Sequence, residues 1–132
     1  MPQQRNSEEA MIITILGSVP AQKNDKRMAI NKRTGKHFPV TSKAVKEWQE
    51  SAAAQLTQYR GQADGKVSIY YMFYVPDNRP RDSDNMVASV NDALVKAGLL
   101  KSDSWQYLKS HGFDAEIDRE NPRVELEVKE DV

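Results

Sequence analysis

Apolar residues recur along the chain with two distinct periods. Residues 11–16, MIITIL, form a short β-branched run closed by Gly17 and Pro20, and predict a strand. From Ser42 the spacing changes. Val45, Trp48, Ala52, Leu56 and Tyr59 recur at steps of three and four, which is one stripe of a helix. Gly61 and Gly65 bracket the next break. Residues 67–75, VSIYYMFYV, are aromatic and β-branched without helical period. They predict a central strand covered on both faces. Residues 76–81, PDNRPR, form a turn-rich linker. A second helix follows from about 83 to 97, with Met86, Val90, Leu94 and Ala97 on its core face and Gly98 placed to end it. Strands over roughly 107–117 and 123–129, joined by the turn DRENP, close the pattern.

The predicted order β-α-β-α-β-β describes an α+β domain, a mixed or antiparallel sheet with two helices packed on it. Between the first strand and first helix lies a basic segment, 22–38, irregular or hairpin-like. The 132 residues suit one domain, 11–132, behind a polar, disordered lead-in at 1–10. That lead-in has no apolar centre and is not a secretory signal.

Composition narrows the function classes. Hydrophobic residues make up 39% and charged residues 29%, ordinary for a globular chain. No apolar run approaches the ~20 residues of a membrane span. With no cysteine, disulfides, thiolate-bound zinc and thiol nucleophiles are excluded, and the cytoplasm is the expected compartment. The net charge of zero conceals a polarity. Residues 23–46 set eight lysines and arginines against Asp25 alone, for +7; residues 103–132 set nine acids against four bases, for −5. Such a chain can present a strongly positive face, although a basic run can also be a solvated loop.

The stretch RPRDSDNMVASVNDALVKAGLL, residues 79–100, carries the candidate chemistry. Asp82 and Asp84 crowd the start of the second helix, and acids there can simply cap it and oppose its dipole. Three features favour a metal site. One cap needs one side chain, yet Asp82, Asp84 and Asn85 stand together. Asp84, Asn91 and Asp92 share the helix face opposite the core stripe. Arg79 and Arg81 bring positive charge that suits an anionic substrate. A hard cation such as Mg²⁺ takes carboxylate oxygens and keeps several waters, so few acids suffice. His37 and His111 are isolated, and no nucleophile elbow, phosphate loop or dinucleotide fingerprint occurs. No organic cofactor is implied. Trp48 falls on the apolar stripe; Trp105 suits either core or surface.

The motif Arg81, Asp82, Asp84, Asn85, Asp92-Ala93-Leu94, Lys96, Gly98 and Asp103 resembles the RusA family of Holliday junction resolvases, and the flanking elements fit over about residues 11–130. The resemblance implies a RusA-like fold and a homodimer that nicks paired strands of a four-way DNA junction with Mg²⁺, or Mn²⁺. It implies Asp82, Asp84 and Asp103 as metal-binding acids, and it suggests a prophage origin. The family lysine four residues after the second aspartate is Ala88 here, and Lys101 is the nearest replacement by sequence. Lys23, Lys26, Arg27, Lys32, Arg33 and Lys36, with Arg79 and Arg81, are the expected DNA contacts. The rival readings are a branched-DNA-binding protein with weak or no cleavage, and an interaction domain with an incidental acidic helix.

Overall fold

The computed structural model describes residues 10–21, 26–41, 43–62 and 65–130. Six strands and two helices appear in the order β1 (Met11–Leu16), β2 (Lys26–Ile30), β3 (His37–Thr41), α1 (Lys43–Leu56), β4 (Val67–Val75), α2 (Ser83–Lys96), β5 (Leu108–Ile117) and β6 (Arg123–Glu130). The expected α+β architecture holds, and the basic segment adds a two-stranded hairpin, β2–β3, as a separate small sheet.

The main sheet runs β1-β6-β4-β5. Its strand β4 pairs parallel with β5 and antiparallel with β6, and β6 pairs antiparallel with β1. A parallel pair needs a crossover, and α2 supplies it between β4 and β5. Alternation then fixes the faces. Ile13 and Ile15 of β1, Val124, Leu126 and Val128 of β6, and Val67, Ile69, Tyr71 and Phe73 of β4 are buried. They join Trp48, Ala52 and Leu56 of α1 and Met86, Val90, Ala93 and Leu94 of α2 in one core. Burying each Val, Ile, Leu, Phe or Met side chain among them is worth roughly 1.5–3 kcal/mol. Trp48 is therefore a core residue.

The expectation that β4 is covered on both faces needs correction. Its helix-side residues from Val67 to Phe73 are sealed, but on the other face only Ser68 is; Tyr70 is 36% exposed, and Met72 and Tyr74 are half-buried. Aromatic rings with a polar tip tolerate such a half-wet face, and the Arg123 guanidinium lies 3.8 Å from the Tyr74 ring centroid.

Helix α2 stops as its sequence predicts. Gly98 takes φ +81°, and Leu99 N–H returns to the Leu94 carbonyl at 3.0 Å. Among the described residues no helix is long and apolar enough to cross a membrane.

Candidate functional site

The linker before α2 is a compact clamp. Asp77 accepts from the Arg79 N–H at 3.0 Å and from the Arg81 guanidinium at 2.8 Å. Arg81 also donates to the carbonyls of Asp77 and Arg79 at 3.0 Å. The Arg79 N–H first, and the Arg81 guanidinium second, hold the Asp77 carboxyl below its ordinary range. Arg81 is 17% exposed in its side chain, whereas Arg79 is 84% exposed, with its Nε 3.4 Å from the Asp77 carboxylate. The two arginines thus differ: one shapes the turn, the other reaches solvent.

The clamp delivers Asp82 in an extended conformation as the N-cap of α2, where it accepts from the Asn85 N–H at 3.2 Å. Asp84 follows in the first turn, exposed. Capping and availability coexist here: one Asp82 oxygen serves the helix, and the Asp84 carboxylate faces water.

Two further α2 side chains tie this helix end to a distant segment. Asn85 donates to the Ala21 carbonyl at 3.0 Å, and Ser89 donates to the Pro20 carbonyl at 3.1 Å. Residues 18–21, Ala44 and the stretch 79–82 line a cleft of about 500 Å³. Asp82 and Arg79 therefore share a cleft with the root of the basic segment. Beyond that root, the β2–β3 hairpin turns through Asn31, whose side chain accepts from Arg33 N–H at 2.9 Å. Gly35, at φ +74°, permits the turn, and its N–H donates to the Asn31 carbonyl at 2.7 Å. Lys32, Arg33 and Lys36 stand exposed at this tip. Lys26 and Arg27 lie on β2, in register with Thr41 and Val40. Lys23 lies outside the described residues.

Asp103 sits elsewhere. It lines a recess of about 240 Å³ with Asp92, Val95, Lys96, Lys101 and Ser102, beside the second half of α2. Eight residues of helix separate Asp84 from Asp92, about 12 Å of rise. Among the described residues no group of three or more His, Asp or Glu is placed to hold a metal ion. One chain thus gathers Asp82 and Asp84 at one end of α2 and leaves Asp103 with Asp92 and Lys101 along its flank. Lys101 is exposed, while Lys96 donates to Gln49 of α1 at 3.1 Å.

The helical period predicts Asn91 on the free face with Asp84, but the fold engages its side chain. It accepts from the Tyr71 hydroxyl at 2.6 Å. Burial pushes that phenol up to about 12, so it stays a donor at neutral pH. A buried hydroxyl needs a partner, and Asn91 is near enough to supply one. The tethers of Asn85 and Ser89 were likewise missed, because they cross 64 and 69 positions and no local pattern announces them. Trp105 proves to be a surface residue, 74% exposed, with the Lys66 ammonium 5.7 Å from its ring centroid.

An α+β sheet with acids at a helix start, an arginine clamp and a basic hairpin suits the class of domains that act on anionic substrates such as nucleic acid. Comparison with known proteins sharpens that class. Residues 18–129 match the family model described as endodeoxyribonuclease RusA. Over 100 residues the chain is 33% identical to the crossover junction endodeoxyribonuclease RusA of Aquifex aeolicus (strain VF5), covering 74% of this chain and 76% of that protein. The chain belongs to the RusA family of endodeoxyribonucleases.

Proposed function

We propose that the chain resolves four-way DNA junctions, as a crossover junction endodeoxyribonuclease acting in recombination and repair in the cytoplasm. One observation carries this reading. The root of the basic segment is hydrogen-bonded to the helix that begins with Asp82 and Asp84. Grip on the phosphate backbone and the acids that serve hydrolysis are thereby joined.

The donor chemistry fits a hard divalent cation. Asp82 and Asp84 offer carboxylate oxygens at a solvent-facing helix start, the ligand type that Mg²⁺ or Mn²⁺ prefers. Asp82 and Asp84 would hold the ion; Asp103, the third expected ligand, lines a separate recess with Asp92 and does not meet them within one chain. When bound, the ion activates water and neutralises phosphate charge during phosphodiester hydrolysis.

The chain's own groups do the rest. Lys32, Arg33 and Lys36 at the hairpin tip, with Lys23, Lys26 and Arg27 along the same segment, neutralise phosphates and set the duplex arm. Arg79, exposed at the cleft, offers charge close to the acids. Arg81 keeps the linker rigid. Lys101, beside Asp103, supplies the cation that the family pattern places at residue 88. A homodimer suits a junction that needs two matched cuts, because a two-fold axis presents two equivalent sites.

A second reading has one observation in its favour: Ala88 cannot supply charge, so a branched-DNA-binding protein with weak cleavage is the alternative. A labelled four-way junction and a matched duplex, each incubated with Mg²⁺ and with EDTA, decide between them. Paired nicks in the junction alone, lost with EDTA, support the nuclease. Tight junction binding without nicks under Mg²⁺ supports the alternative.

A further inference from the structure

The homodimer in the proposed function leaves open which surface pairs, and the edge of the main sheet bears on that question. The strand β5 is ten residues long and lies at the edge, so among the described residues one side of its backbone meets no other strand. Nine of its ten residues are exposed. Phe113 and Ile117 are 45% and 48% exposed, although their register partners Tyr71 and Val75 on β4 face the helices. A long, uncovered edge that exposes apolar side chains on one face is a template for another strand.

Its charge pattern selects the occupant. Lys109 and His111 lie in the first half, Asp114 and Glu116 in the second. We infer that β5 pairs antiparallel with β5 of a second copy, setting Lys109 against Glu116 and His111 against Asp114 twice over about the two-fold axis. The two sheets then form one continuous sheet of eight strands.

The register is consistent with the faces of the strand. Two paired residues must point to the same side of a sheet. In a regular strand this forces paired positions to differ by an even number. Strand β5 is not regular: Ile69 pairs with Ser110 but Tyr71 with Phe113, so an extra residue is inserted at His111–Gly112, where Gly112 has φ +101°. Leu108 and Ser110 before the insertion share the helix side with Phe113, Ala115 and Ile117 after it. Lys109 shares the opposite side with Asp114 and Glu116. The bulge therefore makes the odd-numbered offsets face correctly: Leu108 meets Ile117, Lys109 meets Glu116 and Ser110 meets Ala115. The Ala115 N–H is held in the lone chain by the Asp114 carboxylate at 2.8 Å. Pairing exchanges that local bond for a ladder bond and frees the carboxylate for His111.

The other edge is a poorer candidate. Strand β1 exposes Ile12 and Leu16, but its six residues carry no charge that could fix direction or register.

Because the chain has no cysteine, the register can be read directly. In the full-length variant Lys109→Cys/Glu116→Cys, the two thiols of one chain lie seven residues apart on a strand, roughly 23 Å, too far for an internal bridge. Across the proposed pair they lie opposite each other, at bridging distance. Mild oxidation should convert most of the protein to a covalent dimer on a non-reducing gel. Glu116→Lys alone should weaken dimerisation about tenfold or more in sedimentation, and Lys109→Glu/Glu116→Lys should restore it to within about threefold. Circular dichroism checks that each variant is folded. A wild-type monomer at all concentrations overturns the inference, as does a dimer that resists both the charge reversal and the cross-link. Junction cleavage is measured separately. Cleavage with a different dimer refutes this surface alone, whereas a β5 dimer without cleavage refutes the nuclease reading alone.

Discussion

Asn85 donates from its side chain to the Ala21 carbonyl at 3.0 Å. The bond joins the first turn of α2 to the strand of chain that enters the basic hairpin. Immediately before it, Asp84 faces solvent in that same first turn. In the proposed function, Asn85 would therefore help set the distance from a gripped phosphate to the acids, and Ser89 fixes the next carbonyl back, that of Pro20.

Removing this tether should loosen the coupling more than the fold. Each lost hydrogen bond costs about 1 kcal/mol of stability. Asn85→Ala/Ser89→Ala should lower the single-turnover cleavage rate about tenfold, near 1.4 kcal/mol, with junction affinity changed less than about threefold. Single-turnover rates on saturated junction, beside binding curves, provide the check. A merely structural role would lower the melting temperature and leave the rate of the folded protein unchanged.

Different substitutions separate the capping role of Asp82 from its proposed part in cutting. Asn also caps helices, so Asp82→Asn should keep the bond to Asn85 N–H and most of the stability. Asp82→Ala should cost about 1 kcal/mol. Both should abolish Mg²⁺-dependent nicking, and Asp84→Asn should do the same while junction binding persists or tightens. Thermal melts run beside cleavage assays distinguish the cap from the cutting role; full cleavage by Asp82→Asn would reduce Asp82 to a cap.

Much of this was legible in the sequence for a definite reason. The period-3.6 stripes of Val45, Trp48, Ala52 and Leu56, and of Met86, Val90 and Leu94, are local patterns, and both helices form where those patterns lie. Gly98 and Asp82 mark the ends of α2 through local backbone chemistry. What stayed hidden depends on strand order. Placing β5 at the edge leaves Phe113 exposed, and crossing β4 beneath α2 brings Tyr71 to Asn91. Asp103 illustrates the same limit. Its spacing from Gly98 allows a return toward Asp84, but in the fold it stands beside Asp92.

The hairpin tip should act through counterion release. Lys32, Arg33 and Lys36 are exposed, and each phosphate contact contributes about 0.9 to the slope of log affinity against log salt. Lys32→Ala/Lys36→Ala should weaken binding to junctions of any sequence and flatten the slope by about two units. Titrations at several salt concentrations measure it. An unchanged slope would make the tip a solvated loop.

The arginine clamp should show in acid. The Asp77 carboxyl is held below its ordinary value of 3.8 by the Arg79 N–H and the Arg81 guanidinium. A depressed carboxyl contributes stability that is present above its unfolded pKa and lost as the pH falls through the folded one. Asp77→Asn should therefore lower the melting temperature at neutral pH and flatten its decline below about pH 4. Equal declines in both proteins would show that the clamp does not contribute to the acid limb.

The cation question turns on residues 88 and 101. Ala88 lies one helical turn beyond Asp84, about 6 Å along the axis, half-buried on the outer side of α2. A lysine stem spans that distance, and alanine and lysine both favour helix, so Ala88→Lys should leave the fold nearly undisturbed. Lys101 is exposed in the recess that also holds Asp92 and Asp103. If Lys101 supplies the positive charge, Lys101→Ala should slow single-turnover cleavage at least tenfold, about 1.4 kcal/mol, and Ala88→Lys should add little. If the position is vacant, the order reverses: Ala88→Lys accelerates cleavage and Lys101→Ala hardly matters. The first outcome is expected, because Lys101 already stands with two acids, where a cation offsets their mutual repulsion and can meet a phosphate. Both variants are to be assayed on one junction at saturating Mg²⁺, and no effect from either would remove lysine from the chemistry at this helix.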